Sequence, residues 1–489
     1  MPLPLCFSTA TRLKALAFVA TAAIVCVGSS GAFVSVRSTQ LLRPAVNFGG
    51  GGITITKASS ITTVPKGAIE HQCLRMGTPL GAGERVVIVG GGIVGASTAY
   101  HLSLRGVKPV VIERSFLAAA ASGKAGGFLA GGWGSGPTTR MHEVSFQMHE
   151  RLAEELDVTS YRKIPTLQAR AFLTQWVTGG GRGSSPATWL DGKASGSMMD
   201  TDTAQVTPLE LTTKLMEAAQ TRGAELRIAT VAGVSSVPSD PAAEGKEEAG
   251  GKRAAENESG ERKITGVILE DGEEIPCDRV IVAMGPWSCV AEDWFDFPVP
   301  MQGIKSTSIV FKGSDAVAED PYALFCAEDR NGCHLEVYPR PTGEVYLCGL
   351  GGSDYVDPPR LKAGGDCEKP EDIGPDPTRV TAATKSFKGM TSLGNEPPTV
   401  SQACMRPCPP DGLPIMGGVP GFAGAYLSAG HNCWGILWGP VTGLLMSELL
   451  VDGKASTVNI EPFSPCRFNK KVERRGRRRG AADLVGEQW

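Results

Sequence analysis

The sequence predicts an α/β protein in which a parallel sheet flanked by helices is joined to a second domain built on an antiparallel β-sheet. Three observations carry that expectation. A β-branched run at Val86–Val89 leads into a glycine cluster, a helix-length segment and a second apolar run that ends in an acid. Two later apolar runs, at 279–283 and 425–428, also end close to glycines, Gly285 and Gly430. Between them, residues 297–350 switch to short alternating strands. Continuous apolar runs suit strands buried on both faces, whereas alternation suits a sheet with one face buried.

Residues 85–113 read R-V-V-I-V-G-G-G-I-V-G-A-S-T-A-Y-H-L-S-L-R-G-V-K-P-V-V-I-E and organise the first domain. Gly90, Gly92 and Gly95 form G-x-G-x-x-G. Gly90 permits a tight turn, Gly92 lets backbone approach a pyrophosphate, and Gly95 lets the next helix pack close to the strand. The helix that follows offers free N–H groups and the positive end of its dipole to phosphates. Ala96, Ala99, Tyr100, Leu102 and Leu104 are its apolar positions, and Gly106 is placed to stop it. Glu113, 21 residues after Gly92, can accept hydrogen bonds from ribose hydroxyls. A chain with 62 glycines contains chance matches to such a pattern. Strand, glycines, helix, strand and acid in order instead define a Rossmann-like dinucleotide unit, and the acid favours FAD or NAD over NADP.

At 489 residues the chain has room for two or three domains. A composition 42% hydrophobic and 20% charged is that of a soluble globular protein, and a net charge of −3 gives no global reason to expect nucleic acid. The 13 cysteines lack paired C-x-x-C spacings, which favours reduced thiols over disulfides or structural zinc. Cys404 and Cys408 are close, but no His or Cys cluster completes a metal site, so no metal is expected.

Residues 1–69 read as a targeting presequence. No Asp or Glu precedes Glu70, whereas Arg12, Lys14, Arg37, Arg43, Lys57 and Lys66 do. Arg12 and Lys14 stand before an apolar run, 15–27, of signal-peptide length and too short to span a bilayer comfortably. Small residues at 29–32 form a cleavage site before Phe33, and 33–69 is basic, Ser/Thr-rich and acid-free, as in a transit peptide. This order resembles the bipartite plastid presequences of algae with secondary plastids; secretion and a mitochondrial presequence are the alternatives. No stable membrane insertion is expected after processing.

Further along, 118–136 is a glycine-rich loop whose amides can continue the phosphate cradle, and 141–156 is an amphipathic helix. A helix starts at Thr207-Pro208, ends before Gly223, and leads to a strand at 225–231. Residues 238–262 carry seven acids and four bases without an aromatic or branched aliphatic side chain, the composition of a disordered insertion. A hairpin at 265–275 and a buried strand from Arg279 follow, and 354–371 reads as a long loop. The strand 425–428, a turn at 430–435 and a helix at 436–450 close the fold; the tail from 466 holds seven bases between Lys470 and Arg479 and reads as a solvated end. The nucleotide-binding domain is expected to gather 84–160, 200–236, 263–295 and 400–465, and the substrate domain 161–199 and 296–399.

These blocks together resemble the D-amino-acid oxidase/glycine oxidase family of FAD-dependent oxidoreductases. The likeness rests on V-V-I-V-G-G-G-I-V-G with Glu113, S-G-K-A-G-G from Ser122, I-V-A-M-G-P-W ending at Trp287, R-P-x-x-x-D-G-L-P-I-M-G from Arg406, and A-G-H-x-x-W-G from Ala429. It spans about residues 85–467 apart from the acidic insertion, and L-E-V-Y-P-R-P-T-G-E-V-Y at 335–346 resembles a fungal and algal branch. The resemblance implies a glutathione-reductase-type FAD-binding domain holding extended FAD, with the flavin ring at the boundary to the antiparallel β-sheet substrate domain. It places FAD contacts at Gly90, Gly92, Ile93, Val94, Gly95, Glu113 and Arg114. Ser122, Gly123, Gly126 and Gly127 contribute from the loop, joined by Val231, Gly285 and Trp287. Gly430, His431, Trp434, Gly435 and Ile436 bring a second helix N-terminus to the flavin N1/C2=O edge, where it would stabilise reduced flavin.

Arg406 resembles the position that holds a substrate carboxylate, with pairing to Asp411 as the alternative; Tyr338 and Arg340 are the other polar groups expected in the pocket. The implied chemistry is oxidation of a C–N bond of a small amine or amino acid by hydride transfer to flavin N5, giving an imine that hydrolyses. O2 or another electron acceptor would reoxidise the flavin. Asn432 and Cys433 depart from the family pattern, which leaves substrate size and polarity open. Cys404 resembles the residue that carries covalent flavin in sarcosine-oxidase-like members, a buried structural thiol being the alternative. His431 is expected to be a turn residue, not a base. The rival functions are a thiazole-forming or tRNA-modifying flavoenzyme of the same fold and a non-catalytic flavoprotein acting in assembly or trafficking.

Overall fold

The computed structural model describes residues 78–171, 185–192, 194–239 and 260–469. The presequence, all but the ends of the acidic insertion, and the basic stretch from Lys470 lie outside the described residues. Nine of the described cysteines are free thiols, whereas Cys466, against expectation, is disulfide-bonded.

The first sheet has six strands in the order Ile415–Gly418, Ala425–Ala429, Arg279–Val282, Val86–Val89, Val110–Glu113 and Glu225–Ile228. All neighbours run parallel except Ile415–Gly418. Val86–Val89 lies at its centre and is buried along its whole length, as an apolar, β-branched run demands. The helices Ile93–Leu104 and Gly435–Val451 cross closely on one face. A Cβ on Gly439 would lie 2.5 Å from Ile93 Cγ1, so only glycine admits this crossing.

Pro440 sits inside Gly435–Val451 and has no N–H to offer Ile436 O. His149, from the helix Thr139–Glu155, donates instead: its Nε2–H lies 3.1 Å from both Ile436 O and Leu437 O. The neutral imidazole is thereby part of the fold.

The expected strand at 225–231 stops at Ile228, and Val231–Pro238 starts a separate sheet with Arg262–Leu269 and Glu274–Pro276. Gly272 turns that hairpin with φ +87°. The second large sheet has eight strands. It is antiparallel except where Ala323–Cys326 meets Thr166–Ala171. The stretch read as a loop from Asp354 holds one of its strands, Asp354–Val356. The helix Pro377–Met390 was not foreseen; Asp376 caps it, accepting from the Thr378 and Arg379 N–H groups at 2.7 and 3.3 Å. Val400–Cys408, within a stretch expected in the nucleotide domain, pairs along Gln302–Phe311 in the second sheet. That pairing carries Arg406 onto the second sheet.

Candidate active site

One cavity extends from the glycine turn to the second sheet, and both halves of the fold line it. At its nucleotide end, Gly92 caps the helix Ile93–Leu104 without a side-chain hydrogen bond, and no acid stands in the first turn. The N-terminal amides therefore face the cavity with an unopposed positive dipole. Ser122 Oγ accepts the Ile93 N–H at 2.9 Å and joins the loop to this turn. Glu113 Oε2 accepts from Gly91 N–H at 2.8 Å and Oε1 from Ser115 N–H at 3.0 Å. Burial pushes the Glu113 pKa up, and these two amides oppose the shift. Each oxygen retains a lone pair for a ribose hydroxyl. A bare helix terminus beside such a carboxylate fits a dinucleotide.

Gly90, Gly92, Ile93, Val94, Glu113, Arg114, Ser122 and Gly127 line the cavity with Val231, Gly285 and Trp287, and Gly126 lines it against Tyr338 and Tyr346 of the second sheet. Gly95 and Gly123 do not reach the cavity wall. A Cβ on Gly95 would lie 1.9 Å from Gly90 O, so that glycine serves helix-to-strand packing as expected. Arg114 is held by Glu368, its Nη1 donating to the Glu368 carbonyl at 2.8 Å. Gly430, His431, Trp434, Gly435 and Ile436 line the cavity at the start of the second helix. His431 Nε2 lies 3.0 Å from Thr442 Oγ1, and burial lowers its pKa to about 4. A neutral histidine spent on that contact is a turn residue.

The other wall is one face of the second sheet. Successive strand side chains point to opposite faces, and the register sets Glu336 opposite Cys348, Tyr338 opposite Tyr346, and Ser306 opposite Cys404. These six residues, with Arg406 two positions beyond Cys404, line the cavity. Phe128 stacks on Tyr338 with ring centroids 5.3 Å apart, and Trp133 packs on Phe128 and Phe325. Tyr338 donates to Glu336 Oε2, and burial raises the phenol pKa well above its ordinary value.

Arg406 stands where expected, and its surroundings decide against pairing with Asp411. Asp411 is bonded to Arg467 at 2.7 and 3.3 Å. Arg406 Nε is buried with no hydrogen-bond partner among the described residues. The expectation for Arg340 is corrected: it lies beyond the strand Glu336–Pro339 and does not line the cavity. Its guanidinium pairs with Glu344 at 3.3 Å and covers the Tyr346 ring at 5.7 Å, tying the hairpin from outside. Sequence reasoning missed Glu336, Cys348, Phe128 and Trp133. The alternation E-V-Y was the available signal for Glu336, since it shares a strand face with Tyr338. Nothing local marked the other three.

Fold and cavity together define an α/β protein whose dinucleotide-type glycine turn opens onto a second, mostly antiparallel sheet. Residues 85–449 match the family model of FAD-dependent oxidoreductases, the D-amino-acid oxidase (DAO) type, and the chain belongs to that family. It is an FAD-dependent oxidoreductase. A Schizosaccharomyces pombe chain designated an oxidoreductase is 26% identical over 78% of this chain and 98% of its own. The glycine oxidase of Geobacillus kaustophilus is 24% identical over 79% of this chain and 98% of its own. Among solved structures, L-proline dehydrogenase from P. horikoshii shares the fold, with a TM-score of 0.60 at 19% identity over 80% of this chain and 98% of that one.

Proposed function

We propose that the enzyme oxidises the C–N bond of a small amine or amino acid. The observation that carries this reading is Arg406, an arginine on the cavity wall whose buried Nε has no hydrogen-bond partner among the described residues. A buried guanidinium is costly without an anion, and its fork matches a carboxylate in two hydrogen bonds. The glycine oxidase and proline dehydrogenase named above act, by their names, on amino acids. When bound, FAD supplies the hydride acceptor for the C–N carbon, with O2 or another acceptor receiving the electrons afterwards. The chain's own part is to bind and orient. Arg406 fixes the substrate's anionic end, and the Phe128, Trp133 and Tyr338 wall excludes water. The amides at the two helix N-termini hold the pyrophosphate and the flavin edge, and Glu113 holds the ribose. The test is anaerobic mixing of the purified yellow protein with a panel of amino acids and N-methyl amines. Bleaching by one compound class is expected; a protein that no member bleaches rejects the reading.

Glu113→Ala is expected to weaken FAD binding by about 1.5–3 kcal/mol, the worth of hydrogen bonds to a charged acceptor. Equilibrium titration of apoprotein with FAD measures it; unchanged affinity would remove Glu113 from the ribose site. Cys404 has its pKa raised by burial, which makes it a poor nucleophile. Acid precipitation should therefore leave the flavin in the supernatant, whereas flavin in the pellet would support covalent attachment.

The presequence supports a plastid destination in an alga with secondary plastids. Residues 1–69 fused to a fluorescent protein should enter the plastid, and Phe33→Ala should divert the fusion to the secretory lumen. Mitochondrial fluorescence of the unmodified fusion would overturn this assignment.

A further inference from the structure

Glu336 is 4% exposed, yet it faces the cavity from the middle of the second sheet. Its Oε2 accepts from the Tyr338 hydroxyl and from Cys348 Sγ at 3.4 Å. Two donors on one oxygen suit the ionised carboxylate. Its Oε1 is buried and has no partner among the described residues. Arg406 faces the same cavity with its Nε in the same condition, and the two side chains form no ion pair with each other. Burial raises the Glu336 pKa, and the Tyr338 and Cys348 hydrogen bonds and the Arg406 charge oppose that shift. A buried carboxylate and a half-buried guanidinium, each with a buried hydrogen-bonding atom that has no partner among the described residues, suit a ligand that carries both opposite charges.

We propose that Glu336 binds the protonated nitrogen of the substrate, so that the pocket selects zwitterions, with the anionic group on Arg406 and the ammonium on Glu336, over simple carboxylates or simple amines. This rests on the amine-oxidising function proposed above and adds the residue that recognises the nitrogen. The register puts both residues on one sheet face. Glu336 and Arg406 lie on different strands of one sheet face, separated by the strands Val345–Cys348 and Gln302–Phe311. A ligand between them is held at two points, which fixes which of its carbons faces the cofactor.

The test uses the FAD-loaded full chain, held anaerobically, and reads perturbation or bleaching of the flavin absorbance against ligand concentration. Two matched sets serve as probes: acetate, glycine and methylamine; and butanoate, 2-aminobutanoate (each enantiomer) and 1-propylamine. In at least one set the zwitterion should bind at least about ten-fold tighter than its matched anion and amine, the worth of a hydrogen bond to a charged group. In Glu336→Gln that preference should fall toward one, and the matched anion should bind more tightly because the repelling charge is gone. Should Glu336→Gln fail to fold or to hold FAD, Glu336→Asp keeps the charge but withdraws it by one methylene. It should then weaken the zwitterion by about ten-fold and the anion by less than about three-fold. A yellow protein that does not distinguish zwitterion from anion, that binds no probe, or whose preference survives Glu336→Gln overturns the proposal alone. A wild-type protein that takes up no FAD overturns the flavoenzyme reading along with it.

Discussion

Replacing Arg406 by lysine is expected to leave FAD content and melting temperature nearly unchanged while slowing substrate reduction of the flavin about 30- to 1000-fold. That corresponds to roughly 2–4 kcal/mol of lost transition-state stabilisation. Lysine keeps the positive charge but cannot reproduce the planar two-point fork, so the bound substrate loses its orientation over the cofactor. Stability should hold because Arg406 forms no ion pair with a carboxylate among the described residues, and lysine keeps the positive charge that acts on Glu336. The nearest sequence candidate, Asp411, is already bonded to Arg467, and Arg406 Nε has no partner among the described residues to lose. Stopped-flow reduction and thermal unfolding on one preparation provide the check. Full flavin reduction in a destabilised variant would show that Arg406 holds the fold and not the substrate.

Acidification below pH 6.5 should destabilise the protein through its buried histidines. Burial lowers the pKa of His101, His149 and His431 to about 4 in each case. Above the ordinary histidine value of 6.5 both folded and unfolded chains are neutral at these positions, and the stability is fully present. Between pH 6.5 and about 4 the unfolded chain binds protons that the folded one refuses, so stability falls as pH falls. Below about 4 both states are protonated and this loss levels off. Each histidine accounts for roughly 3 kcal/mol at most. Denaturant midpoints measured from pH 7.5 to 4.5 should trace the decline. His149→Gln, whose amide can still reach the carbonyl that Pro440 leaves free, should flatten it by about one quarter to one third, since burial lowers the His142 pKa as well. A wild-type curve flat between pH 6.5 and 4.5 would mean that these imidazoles are not held neutral in the fold.

The nucleotide half of the site was legible in the sequence because its parts are contiguous. Val86–Val89, the glycines, the helix and Glu113 lie within residues 85–113. Each job there follows from short-range sterics and from the free amides of a helix terminus. The turn and helix around Trp434 were legible for the same reason. The substrate half was legible only as isolated residues. Arg406 and Tyr338 were named from their motifs, and Arg340 was named with them because it lies two residues from Tyr338. The end of the strand at Pro339 removes Arg340 from the cavity, a boundary that the run V-Y-P-R does not announce.

By itself the sequence determined the family, the cofactor and the glycine-and-acid geometry that receives it, since these depend on neighbours a few residues apart. It also determined that Glu336 and Tyr338 share a strand face, because the two-residue period of a strand is a local property. Only the tertiary structure decided that this face meets Arg406. That meeting depends on the register of Glu336–Pro339, Val345–Cys348, Gln302–Phe311 and Val400–Cys408, which packing sets between segments far apart in the chain. The same holds for His149, whose position on its own helix gives no hint of the proline-freed carbonyl it satisfies on another. Backbone sterics act over a few residues, whereas the burial and pairing of charges act wherever the folded chain brings surfaces together.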